Sequence, residues 1–273
     1  MANDITIAKF RPLVWRYYRE YGRHGLPWRR TRDPYRILIS EVMLQQTQVE
    51  RVMSFYIKFI QKFPTPRELA DAPLSEVLRM WQGLGYNRRA KMLQAAARDI
   101  LTRYNGRLPK STIELESLPG VGPYTARAVA AFAYNKDVVV IETNIRTVIF
   151  HHFFSKRSDV KDIEVSEVLK KVLPKGRSRE WHSALMDYGA YLKRSGISLN
   201  ARSEKYVKQS KFFGSLREAR GALLRELVQG VASHARLMGL LKVSRRAQLR
   251  TALRALLTEG LVKKVDGCYA LAD

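Results

Sequence analysis

Apolar residues along this chain repeat mostly with the period of an α-helix rather than a strand. In DPYRILISEVMLQQTQVERVMSFYIKFIQKF, residues 33–63, they recur at three- and four-residue steps through Phe63. Asp33 is placed to cap the first turn and Pro34 to open it. The pattern breaks near Thr47, so the stretch predicts two helices. Residues 64–104 predict three further short helices punctuated by Pro and Gly. Ser111 followed by Glu114 predicts a capping box for a helix ending at Leu118. The apolar run Val138–Ile141 would suit a buried strand, but one short run makes no sheet. It is read as a buried connector into a helix that starts near Asn144. Residues 160–193 predict two more helices. A polar, basic stretch around 195–213 predicts a linker, placed at 201–211. Beyond it, residues 212–273 give helix, helix and a short hairpin at Asp266–Gly267, the order of a winged-helix module. The expected fold class is all-α with this small winged-helix-like domain at the C-terminal end.

Charge narrows the partner. The 273 residues carry 49 Lys and Arg against 25 Asp and Glu, a net charge of +24. An excess of this size fits a polyanion, with nucleic acid ahead of an anionic membrane surface. Residues 201–273 alone hold fifteen Lys or Arg against six Asp or Glu. No apolar run has the length of a membrane span, and MANDITIAKF has no signal-peptide pattern, so a cytoplasmic, nucleoid-associated protein is expected. The single Cys268 leaves no intrachain disulfide and no multi-cysteine metal site.

Three features carry candidate chemistry. In LPGVGPYTARAV, Gly120, Val121 and Gly122 can expose successive backbone N–H groups, and the helix opening at Pro123 adds its positive end. That suits a DNA phosphate, without sequence preference. The same residues serve equally as a helix–turn–helix corner. The turn's carbonyls also offer a site to a monovalent cation. Glu41, at helical spacing from Ile37, Leu38, Leu44 and Gln45, faces the apolar side, where burial favours its protonated form; pairing with one of the many Arg is the alternative. Glu142 precedes a helix whose dipole favours its charged form, an arrangement also found as plain charge complementarity. Together the two acids make the opposed pair needed to cleave a glycosidic bond.

LPWRRTRDPYRILISEVMLQQTQVERV, WQGLGYNRRAKML, LPGVGPYTARAV and ALMDYGAYL resemble the adenine DNA glycosylases of the helix-hairpin-helix superfamily, over residues 7–195. The resemblance implies a two-lobed helical fold, with a six-helix barrel at 26–130 and a second lobe from 1–25 plus 131–200. Double-stranded DNA would bind between the lobes to a monomer. The family extrudes and excises adenine mispaired with 8-oxoguanine or guanine. It implies Glu41 as general acid, Gln46 as the wedge at the extrusion site with Gln45 beside it, Tyr86 next to the orphaned base, Arg29 in the base pocket and Asn144 near the second acid. Tyr124 occupies the position of the Schiff-base lysine of the superfamily's lyases, so a monofunctional enzyme is expected.

Three departures qualify this. The family's catalytic aspartate falls on Glu142, whose extra methylene moves the carboxylate by about 1.5 Å unless the backbone compensates. The four cysteines that hold the family's iron–sulfur cluster are absent, so no cluster and no other cofactor is expected. Lys193, Arg194, Arg202, Lys205 and Lys208 stand in that region as candidate DNA contacts. The family's β-rich reader of oxidised guanine is replaced by the shorter helical segment 212–273. There, Arg245, Arg246, Arg250 and Arg254 could enter a DNA groove, or the segment could serve as a packing module. A glycosylase for another base, such as thymine or uracil opposite guanine, and a non-catalytic DNA-binding protein are the competing functions.

Overall fold

The computed structural model describes residues 6–157, 159–197, 199 and 211–273. Arg202, Lys205, Lys208 and the expected linker, apart from Lys211, lie outside them. The described residues are helical apart from one C-terminal hairpin: α1 Ile7–Tyr21, α2 Pro34–Leu44, α3 Val49–Lys62, α4 Pro66–Asp71, α5 Leu74–Trp81, α6 Arg88–Tyr104, α7 Thr112–Glu116, α8 Pro123–Tyr134, α9 Thr143–Phe153, α10 Asp162–Val172, α11 Ser178–Arg194, α12 Leu216–Gln229, α13 His234–Met238 and α14 Arg246–Thr258, then β1 Val262–Val265 and β2 Cys268–Leu271. Asp33 caps α2 as expected: its carboxylate accepts from the N–H of Tyr35 at 2.9 Å. The capping box expected at Ser111 does not form. The Ser111 side chain makes no cap bond, and α7 stops at Glu116, two residues early.

Chain contacts divide the protein into two compact units. One holds residues 1–41, 109–117 and 121–208; the other holds 42–108, 118–120 and 209–273. In the first, α1, α9, α10 and α11 enclose a core of Phe10, Val14, Ile145, Val148, Ile149, Phe150, Leu169, Trp181 and Leu185. Asp187 of α11 sits at its edge, 2 % exposed. Its carboxylate accepts from the Arg23 side chain at 2.6 Å and backbone N–H at 2.8 Å, and from both guanidinium nitrogens of Arg29. Burial pushes its pKa up, but the bonds and charge of Arg29, then the charge of Arg23, more than reverse this and hold it below the usual range.

In the second unit, Phe59, Phe63 and Trp81 pack edge to face. The C-terminal module follows the expected order, with the short α13 added. Asp266 and Gly267, at φ 47° and 75°, make the turn between β1 and β2. Ala232 makes one isolated antiparallel bridge to Tyr269. Lys91 of α6 donates to the carbonyls of Glu259 at 2.5 Å and Gly260 at 3.2 Å, tying the end of α14 to α6.

Asp187→Ala leaves two arginines without a buried anion. It should destabilise the protein by ~3 kcal/mol in urea unfolding at pH 7. Since the folded pKa lies below the unfolded one, the ion pairs' contribution is present above about pH 4 and is lost as pH falls through the folded value. The gap between wild type and variant should therefore close in acid.

Candidate active site

Glu41 lies in the last full turn of α2 and is 6 % exposed. Burial pushes its pKa up to about 7; a hydrogen bond from Tyr124 and the charge of Arg29 oppose the rise, and the charge of Glu142 adds to it. The Tyr124 hydroxyl, from the first turn of α8, donates to Oε2 of Glu41 at 3.1 Å. Burial, with the two carboxylates second, drives the Tyr124 phenol well above its ordinary pKa, so it acts as a neutral donor.

Glu142 is the N-cap of α9. Oε1 accepts from the backbone N–H of Asn144 at 2.7 Å and of Ile145 at 2.8 Å. Oε2 accepts from the Asn144 side chain at 3.2 Å and the Thr143 hydroxyl at 3.1 Å. The longer side chain is thus folded back onto its own helix, which fixes the carboxylate despite the extra methylene. The connector before it is coil, as expected, although only Val140 is fully buried. His182 anchors it: the Val140 N–H donates to Nε2 at 3.3 Å, while Nδ1 donates to the Ser178 carbonyl at 2.8 Å. Burial lowers the His182 pKa to about 4, so the ring is neutral.

Gly189 explains the motif ALMDYGAYL. A Cβ there would sit 2.2 Å from the Asn144 carbonyl oxygen, so only glycine lets α11 approach the first turn of α9 so closely. Lys193, one turn later, lies close enough to Glu142 for its charge to oppose the lowering of the lysine pKa that burial causes. Arg29 is committed to Asp187 and to the carbonyls of Arg23 and Ser183. Its charge still acts on Glu41. Asp187 and Gly189 lie in the motif ALMDYGAYL, but neither they nor His182 were singled out from the sequence. They work through contacts 42 to 164 residues away along the chain.

Gly122 is the N-cap of α8, and both it and Pro123 are exposed. No atom among the described residues lies within 4 Å of a Cβ built on Gly122, so an anion can approach the helix end. Val121 turns its side chain into the core, 5 % exposed. Gly120 has φ 74°, and a Cβ would meet Cβ of Met92 at 2.5 Å. In the second unit, Gln45 is half-buried, Gln46 is exposed with φ 55°, and Tyr86 is 37 % exposed with φ 49°. On α14, Arg246, Arg250 and Arg254 are exposed. Arg245 is drawn back to Glu218, at 2.8 Å, and Gln248.

Comparison with known proteins decides the family. The model of the HhH-GPD superfamily of base excision DNA repair proteins matches residues 39–175. The chain belongs to this superfamily. It is 36 % identical to an adenine DNA glycosylase of Mycolicibacterium smegmatis over 98 % of this chain and 97 % of that one. It is 35 % identical to an adenine DNA glycosylase of Buchnera aphidicola over 69 % of this chain, spanning 54 % of that relative's length. Among solved structures, it resembles a thermostable thymine-DNA glycosylase at TM-score 0.61 and 30 % identity, covering 67 % of this chain and 86 % of the other. The all-helical expectation, with its small C-terminal module, therefore stands.

The raised pKa of Glu41 has a measurable cost. Its folded value, about 7, exceeds the unfolded one, so stability present below about pH 4.5 is lost as pH rises through about 7. Glu41→Gln, which keeps the shape without the charge, should gain on the order of 2 kcal/mol over wild type at pH 8. In urea unfolding this gain should vanish at pH 4.5. Gly189→Ala should lower the melting temperature by several degrees, because the Asn144 carbonyl must move.

Proposed function

We propose that this protein is a monofunctional DNA glycosylase of base excision repair, releasing adenine mispaired with 8-oxoguanine or guanine. The observation that carries the reading is the pair of acids with opposite surroundings on α2 and α9. Glu41 holds a proton near neutral pH, and Glu142 is fixed as an acceptor by four donors. Glu41 gives its proton to a ring nitrogen of the extruded adenine. The C1′–N9 bond breaks, and its electron pair leaves with the base. Glu142 faces the positive charge left on the sugar and takes a proton from the water that adds at C1′. Tyr124 offers a neutral hydroxyl where a lyase would need an amine, which supports hydrolysis without strand cleavage. The open N-terminus of α8 is the place for a backbone phosphate.

Double-stranded DNA is the partner. The net charge of +24 supports this, with the exposed Arg246, Arg250 and Arg254 as further contacts. We read the protein as a monomer located at the nucleoid; no helix among the described residues is long and apolar enough to cross a membrane. An iron–sulfur cluster does not fit the chain: four thiolates are needed, and Cys268 is its only cysteine. If a monovalent cation binds, the turn carbonyls before α8 are its place. The structural likeness to a thymine-DNA glycosylase favours, as second reading, thymine or uracil opposite guanine.

Duplexes carrying adenine opposite 8-oxoguanine or guanine, thymine or uracil opposite guanine, or hypoxanthine separate these readings. After incubation and alkali, cleavage should appear at adenine only, and without alkali there should be none. Glu41→Gln should lose at least about a hundred-fold in single-turnover rate while still binding the duplex. Base loss confined to thymine or uracil selects the second reading; no base loss from any duplex refutes both.

A further inference from the structure

Arg89, at the start of α6, is a charged side chain for which the proposed chemistry has no use. Its Nη1 donates to the carbonyls of Val42 at 2.7 Å, Met43 at 3.0 Å and Gln45 at 2.7 Å. Its Nη2 donates to the carbonyls of Leu84 at 3.3 Å and Gly85 at 3.0 Å, and to the Thr47 hydroxyl at 3.4 Å. One guanidinium therefore closes the C-terminal end of α2 and, at the same time, grips the loop that leads to Tyr86. The Trp81 and Tyr86 rings lie on it, each centroid 5.5 Å from the guanidinium carbon.

Two further facts set Arg89 apart. Among the described residues, no carboxylate pairs with it, and its Nε is buried without a partner. Burial lowers its pKa to about 10, so it stays charged at neutral pH and is held by backbone carbonyls, the Thr47 hydroxyl and two ring faces rather than by a counter-ion. The two segments it joins also carry two of the chain's non-glycine residues in the left-handed region, Gln46 at φ 55° and Tyr86 at φ 49°. Such backbone is costly, and it persists where the surroundings over-determine it. Here one cation reaches both segments at once.

We propose that Arg89 is a positioning residue that locks the Gln45–Gln46 turn and the Tyr86 loop into one rigid probe for opening a base pair. This deepens the glycosylase reading and rests on it, because it supplies the step before the acids can act. Arginine is required for its fork, which reaches both segments at once; lysine keeps the charge but can serve only one. Arg217 of α12, whose Nη1 donates to the Tyr86 hydroxyl at 3.3 Å, braces the same ring from the C-terminal module.

The test compares wild type with Arg89→Lys and Arg89→Gln on two substrates. In one, adenine is paired opposite guanine; in the other, it faces an abasic analogue, so there is no pair to open. Arg89→Lys should lose at least ten-fold in single-turnover excision from the paired duplex. It should stay within two-fold of wild type on the unpaired one. Arg89→Gln should show the same split, larger. Fluorescence of 2-aminopurine at the target position reads extrusion without requiring cleavage: wild type should raise it, and Arg89→Lys should not. Equal losses on both substrates, or no loss on the paired one, overturn the proposal. Extrusion by wild type without base loss from either substrate refutes the excision reading instead, and the fluorescence comparison still decides the role of Arg89.

Discussion

Everything in this protein's proposed chemistry turns on where one proton sits. A carboxylic acid in water gives its proton up well below neutral pH. Glu41 keeps it because α2 presents the side chain to apolar neighbours and, among the described residues, Tyr124 is its one hydrogen-bond donor. The other acid has different neighbours. Glu142 receives two backbone N–H groups, an amide and a hydroxyl, all donors. In the proposed mechanism, two residues of one chemical type take two roles because their surroundings differ.

The scaffold around these acids serves that difference. Gly189 removes a side chain so that α11 can close on the first turn of α9. His182, neutral in the core, holds the connector that delivers Glu142 to its helix. Asp187 binds Arg23 and Arg29, keeping the Arg29 charge near Glu41 without allowing a direct ion pair that would strip the proton from it. In the second unit, Arg89 does comparable work on backbone rather than on an acid. Interactions with no part in bond breaking thus decide where the reactive groups can be.

Much of this was legible in the sequence, for local reasons. Helical period, the Asp33 cap and the Asp266–Gly267 turn are encoded within a few residues, and the structure has them. The apolar neighbours of Glu41 foretold its burial, because helical spacing alone places them around it. The capping box at Ser111 failed: a three-residue pattern marks a possible bond, and the chain there makes only a five-residue helix. Asp187, His182 and Gly189 were not legible as functional supports, since the partners that matter lie tens to more than a hundred residues away, and the grip of Arg89 on the end of α2 spans more than forty. Arg245 shows the same limit. It was grouped with Arg246, Arg250 and Arg254 as a candidate DNA contact, yet Glu218, 27 residues earlier, claims it.

The most direct measurement is the pH dependence of single-turnover base release by wild type and Tyr124→Phe. The account predicts a rate that falls as pH rises through about 7 in wild type. Because the Tyr124 hydrogen bond lowers the Glu41 pKa, its loss should move that limb to higher pH. A rate that stays flat to pH 9, or a limb that does not move in Tyr124→Phe, would contradict Glu41 as the proton donor.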